Sequence, residues 1–157
     1  MSTNNKVQYF TIQGLEDLKR ELKELKDKKI PDIANLIDEA KQQGDLSENA
    51  EYHQAKEDMA WAQGRLQEIN YLLDNAEVVD SAQKNQNIVI VGSAITVKTN
   101  AFTKSYTIVG PQESSPLQGK ISNESPLGAS FLGHKVGDEV MVNTPAGAQT
   151  YKILEIK

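Results

Sequence analysis

Gln42-Gln43-Gly44-Asp45-Leu46 is all that separates two seams of apolar residues, and a connection that short forces the helices on either side to run antiparallel as neighbours. Upstream, Leu15, Leu18, Leu22 and Leu25 fall alternately three and four apart, the a/d spacing of a coiled coil. Downstream, Tyr52, Ala55, Met59, Ala62, Leu66, Ile69, Leu73 and Ala76 keep the same alternation for more than three heptads. Gly44 supplies the left-handed cap that ends the first helix, and Thr11 caps its start. At 1.5 Å per residue, arms of about 30 residues make a rod on the order of 45 Å long.

The first seam skips through Lys28, Lys29 and Pro31 before resuming at Ile33, Leu36 or Ile37, and Ala40. Pro31 removes a backbone donor and costs about 3 kcal/mol inside a helix, so the spacing predicts a kink or a slip of register there, within one continuing helix. Gly64 on the second helix reads as a point of close helix packing.

Beyond Asp80 the pattern changes. Ser81 to Asn87 is polar, and segments rich in β-branched residues follow at Ile88 to Val91, Ile95 to Lys98, Tyr106 to Val109, Glu139 to Val142 and Tyr151 to Ile156. Asn143-Thr144-Pro145-Ala146-Gly147 reads as the loop of a hairpin joining the last two, and Pro116 to Gly133 as a long irregular connection. The fold class is therefore α+β: a coiled-coil hairpin over residues 1–80 and a mainly antiparallel β domain over 81–157.

Charge follows the same division. The net charge is -5, with 17 acids against 10 bases in residues 1–80 and the remainder slightly basic. That balance argues against sequence-independent binding to duplex DNA, which needs a surplus of Lys and Arg. The absence of cysteine excludes disulfides, thiolate metal sites and cysteine nucleophiles. No stretch is apolar enough to span a bilayer and the N-terminus lacks a signal peptide's h-region, so a soluble, cytoplasmic protein is expected.

The chemistry concentrates where the rod turns. Gly44-Asp45-Leu46-Ser47-Glu48-Asn49-Ala50-Glu51-Tyr52 sets three carboxylates on the connection and the first turn after it. Asp45-x-x-Glu48 is also the spacing of a capping box, so by itself it says helix start. In its context the stretch resembles the Gre transcript-cleavage factors, through Glu39-Ala40-Lys41-Gln42-Gln43-Gly44-Asp45-Leu46-Ser47-Glu48-Asn49-Ala50-Glu51-Tyr52-His53. The likeness continues in Gln63-Gly64-Arg65-Leu66, Ser125-Pro126-Leu127-Gly128 and Gly137-Asp138-Glu139-Val140, and so covers essentially the whole chain. The acidic arm points to the subtype of that family that lacks a large basic surface.

The resemblance implies an FKBP-like second domain and a rod that enters the secondary channel of bacterial RNA polymerase to reach the extruded 3' end of a backtracked RNA. Asp45 matches the residue that helps hold a second catalytic Mg²⁺, shared with the polymerase and not stably bound by the free protein. Glu48 matches the residue that positions or activates the attacking water. Lys41 and Lys56, with Arg65 further back, match a small basic patch that touches RNA, although solvated coiled-coil faces would look the same. Tyr52 either packs at the outermost layer of the seam or stacks on an RNA base. Ser125, Pro126 and Leu127 match a segment that docks on the channel rim, where a plain turn is the alternative. The factor would activate the polymerase's own hydrolysis and would not be an enzyme alone; the free protein is expected to be a monomer. Two other functions compete: occlusion of the channel without cleavage, which intact Asp45 and Glu48 oppose, and prolyl isomerisation, for which the second half has few aromatics. His53 and His134, lacking a second ligand at metal spacing, receive no chemistry.

Overall fold

A computed structural model describes residues 7–79 and 87–157. The described chain forms two compact units, one of residues 16–75 and another that joins the described residues up to Leu15 to those from Ala76 onward. The polar stretch Ser81 to Asn87 lies outside the described residues except for Asn87.

The hairpin unit is built from α1 (Ile12–Glu24), a π-helical turn (Leu25–Lys29), α2 (Ile30–Gln42) and α3 (Ala50–Asp74). Glu24, Lys29 and Ile30 all keep right-handed helical dihedrals, so the first helix runs unbroken through Pro31. The slip expected there is the π turn. Ile30 N–H bonds Leu25 O, five residues back, and the extra residue is visible in the burial pattern. Leu18 and Leu25 are buried one heptad apart, Ile33 and Ala40 are buried one heptad apart, and the step between the pairs is eight. Pro31 sits where the wider turn hands over to α2, so the donor it lacks falls where the i to i-4 ladder is already interrupted. On α3 the buried residues are Ala55, Ala62, Ile69 and Leu72. The seam therefore ends one position earlier than its Leu73–Ala76 continuation predicts, because the helix stops at Asp74 and Ala76 begins a strand. Gly64 is exposed, with nothing within 4 Å of a Cβ built on it, so close packing is not its role.

In the other unit, β1 (Gln8–Phe10) pairs parallel with β2 (Ala76–Val78), two strands too short to show a period in the sequence. Thr11 caps α1, its Oγ1 accepting from Gly14 N at 3.0 Å. Glu113 accepts from Thr11 N at 2.8 Å and from its hydroxyl, adding a carboxylate at the positive end of the helix. The main sheet has the order β5-β4-β3-β7-β6, from β3 (Ala94–Lys98), β4 (Thr103–Val109), β5 (Lys120–Ser122), β6 (Glu139–Thr144) and β7 (Gly147–Ile156). All its pairs are antiparallel except β4 with β5. Period-2 alternation sends Ile95, Val97, Tyr106, Ile108, Val140, Val142, Tyr151 and Ile153 inward. Phe131 fills the centre, 5.6 Å centroid to centroid from Tyr151 and 6.4 Å from Tyr106.

Three expectations for this half are corrected. Ile88 to Val91 is not a strand; Ile88 makes a single bridge to Lys135. The β6–β7 turn is tighter than five residues, since Thr144 already pairs with Gly147. Pro116 to Gly133 is not irregular, for it contains a 3-10 turn, β5 and α4 (Pro126–Phe131).

Candidate functional site

The connection between α2 and α3 runs from Gln43 to Asn49, longer than the five residues first expected, and Gly44 adopts φ +104° within it. Asn49 starts α3. Its Oδ1 accepts from Tyr52 N at 3.1 Å, and its Nδ2 donates to Ala40 O at 3.2 Å, tying the start of α3 to the last turn of α2. His53 Nε2 donates to Ser47 O at 3.3 Å and holds the loop from the other side.

This corrects the capping-box reading of Asp45 and Glu48, because α3 begins after them with a cap of its own. Asp45 Oδ1 accepts from Ser47 Oγ at 2.7 Å and from Ser47 N at 3.3 Å, a local turn that fixes the carboxylate. The Ser47 hydroxyl, and after it the Ser47 amide, hold the Asp45 pKa below the ordinary carboxylate value. Oδ2 is left open. Glu48 is exposed and makes no hydrogen bond or ion pair with the described residues. Sequence reasoning missed Ser47, Asn49 and His53 as the scaffold of the tip. Asn49 was detectable, being a preferred N-cap residue followed by an acid, Glu51, in the first turn.

Lys41, Tyr52 and Lys56 come together. With Ile37, Met59, Ala60 and Gln63 they line a groove of about 340 Å³ along one side of the hairpin. Lys56 Nζ lies 5.5 Å from the centre of the Tyr52 ring, and His53 meets the same ring edge-on at 5.7 Å. Tyr52 is only partly buried, with part of its ring open to solvent. Lys41 is exposed, with Asp38 3.6 Å away. Arg65 stands apart from this group. Its guanidinium forks onto Glu21 at 2.7 and 2.9 Å and reaches Glu68 at 2.9 Å, and these two carboxylates, Glu21 foremost, raise its pKa. It links α3 to α1.

In the sheet unit, Ser125 Oγ accepts from Gly128 N at 3.0 Å and donates to Ser122 O at 2.7 Å, capping α4. Pro126 is exposed at the first helical position, while Leu127 packs against the core. The segment thus opens a helix and is not a plain turn.

Among the described residues no three His, Cys, Asp or Glu side chains gather as a metal site. The open carboxylate oxygen on Asp45 fits a single ligand of an Mg²⁺ ion, which takes several oxygens. No helix among the described residues is long and apolar enough to cross a membrane.

A family model described as "Transcription elongation factor, N-terminal" matches residues 8–78, and one described as "Transcription elongation factor, GreA/GreB, C-term" matches residues 83–157. Transcription elongation factor GreA of Clostridium acetobutylicum is 45% identical over 150 residues, covering 94% of this chain and 95% of its own. The protein of the same name from Halalkalibacterium halodurans is 41% identical over 154 residues, covering 97% and 98%. Among solved structures, the GreA factor homolog 1 of Thermus thermophilus matches with a TM-score of 0.45 at 23% identity, covering 97% of this chain and 99% of its own. With both halves matched by the family's models and relatives of this identity spanning nearly its full length, the chain belongs to the GreA/GreB family of transcription elongation factors.

Proposed function

We propose that this chain stimulates the Mg²⁺-dependent cleavage of backtracked RNA by bacterial RNA polymerase, with the hairpin of residues 16–75 as the arm that enters the secondary channel and the sheet unit as the domain that docks on its rim. The observation that carries this reading is the state of the tip: Asn49 takes over the helix cap, leaving Asp45 Oδ2 and the Glu48 carboxylate exposed and uncommitted. A bound second Mg²⁺ would stabilise charge on the leaving oxygen of the phosphodiester. Asp45 serves as an added ligand to it, pre-set in ionised form by Ser47. Glu48 positions or deprotonates the attacking water, and its freedom from internal bonds suits a group that must meet a proton at the polymerase's centre. Lys41 and Lys56 offset the phosphate charge of the RNA, and the Tyr52 ring offers a face for a base. Ser125, Pro126 and Leu127 belong to the docking surface, where Pro126 is the exposed member. The chain acts as an accessory, because two carboxylates on a solvated turn bind Mg²⁺ poorly without substrate phosphates and the polymerase's own acids.

The test is a purified, stalled and backtracked elongation complex with Mg²⁺, in which released RNA is sized. Neither Asp45→Asn nor Glu48→Gln touches the cap of α3, so both variants should fold as the parent does. Each should lower stimulated cleavage on the order of 10²-fold, the low end for losing a positioned acid, base or ligand. Release of short RNA at near the parental rate by both folded variants would defeat the proposal.

A further inference from the structure

The hairpin has a second long groove, on the side away from Lys41 and Lys56, and its chemistry is opposite. It measures about 540 Å³; Leu36, Ala40 and Ala55 give it an apolar floor, and Glu39, Glu51 and Asp58 stand along it. Leu36 is 53% exposed although it lies in the middle of a helix that buries its neighbours Ile33 and Ala40. Helical spacing continues the face one turn further, from Glu51, Gln54 and Asp58 to Trp61, which is 57% exposed. Two large apolar side chains left open on one face of a slender hairpin, rimmed by charge, mark an interaction surface more than a solvated one. At Trp61 the face already holds a cation, with Lys29 Nζ 4.2 Å from the ring centre.

We propose that this acidic, apolar-floored face docks a Lys- or Arg-bearing protein segment of the polymerase channel, so that the hairpin presents RNA-facing and protein-facing sides at once. The proposal rests on the reading of the chain as a channel-entering factor. Charge selects the occupant. Three carboxylates repel a phosphate backbone, while a basic segment with aliphatic side chains satisfies both the rim and the floor, steering the hairpin to one rotational setting. The small side chains of Ala40, Ala50 and Ala55 let such a segment approach the helix backbones closely.

The experiment uses the full chain with a photoreactive benzophenone side chain at position 54, in the centre of this groove, or at position 63, in the opposite one, each bound to a backtracked elongation complex. The expected result is crosslinking to a basic polymerase segment from position 54 and to RNA from position 63. In parallel, the double variant Glu39→Lys, Asp58→Lys should raise the concentration needed for half-maximal cleavage about tenfold, with the loss shrinking as salt is added, while the maximal rate stays near the parental value. Crosslinking of RNA from position 54, or of nothing while position 63 still labels RNA, would overturn the proposal and leave the functional reading intact. An absence of any crosslink from either position would defeat the functional reading first.

Discussion

Asn49 carries two bonds whose loss can be separated, and the hairpin tip should respond to each. In Asn49→Ala the cap on Tyr52 N disappears, at about 0.5–2 kcal/mol. The Nδ2 bond to Ala40 O disappears too, at about 0.5–1.5 kcal/mol for a neutral pair. That second cost falls at the low end, because Gln43 N also donates to Ala40 O and the carbonyl is not orphaned. A total near 1.5 kcal/mol follows, which for a unit of this size with a urea slope of about 1 kcal/mol per molar moves the unfolding midpoint down by about 1.5 M. Asn49→Ser keeps a capping oxygen but is too short to reach Ala40, so only about a third to a half of that shift should appear. Far-ultraviolet circular dichroism reports this unit selectively, since the sheet unit's helix α4 has only six residues. If the tip geometry also serves cleavage, Asn49→Ala lowers the maximal stimulated rate by at most about tenfold, the kinetic equivalent of the same free energy. Asp45→Asn costs more in rate and little in stability. Equal midpoints for parent, Ser and Ala variants, to within about 0.2 M, would refute the assignment of Asn49 as the clamp of the tip.

Other outcomes follow from the same geometry. Ser47→Ala removes the hydroxyl that does most to depress Asp45, so the Asp45 carboxyl carbon, followed by NMR, should titrate at higher pH than in the parent; an unchanged titration would contradict the turn. The sign for stability follows from the depressed folded value. Asp45 contributes above the unfolded carboxylate pKa and loses that contribution as pH falls through the lower folded one, a window confined to strongly acid solution. Arg65→Lys gives up the fork on Glu21 and should destabilise the hairpin by no more than about 1 kcal/mol, since both partners are partly solvated. It should leave RNA crosslinking unchanged, and a large loss of crosslinking would return Arg65 to the RNA-facing group.

Much of this could be read from residue spacing. The three-four alternation identified both arms, and the shortness of the connection made them antiparallel, because heptad seams have one way to bury themselves when the chain must turn back at once. A kink or slip at Pro31 was legible from the break in the seam through Lys28, Lys29 and Pro31, since a missing donor inside a helix has few remedies, and the structure resolved it as a π turn with an eight-residue step. Longer β-branched runs located β3, β4, β6 and β7, while β1, β2 and β5, three residues each, were invisible because pairing and not pattern defines strands of that length. Ile88 to Val91 failed for the converse reason: Val89 is buried by the core without a neighbouring strand to pair it.

At the tip the division is sharper. Sequence alone determined that Asp45 and Glu48 lie on the turn, and that Lys41, Tyr52 and Lys56 lie within two turns of it, because those are matters of order along the chain. Only the tertiary structure decided which polar group caps α3, since Asp45 and Asn49 are both good caps and the choice depends on where the second helix meets Ala40 of the first. It alone decided that Arg65 is committed to Glu21, a partner 44 residues away in sequence, and that the two flanks of the hairpin carry opposite charge. Side chains on separate helices share a groove only when the register between the helices is set, and that register comes from the packing of Leu25, Ile33 and Ala40 of the first arm with Ala55 and Ala62 of α3, layers that no single helix contains.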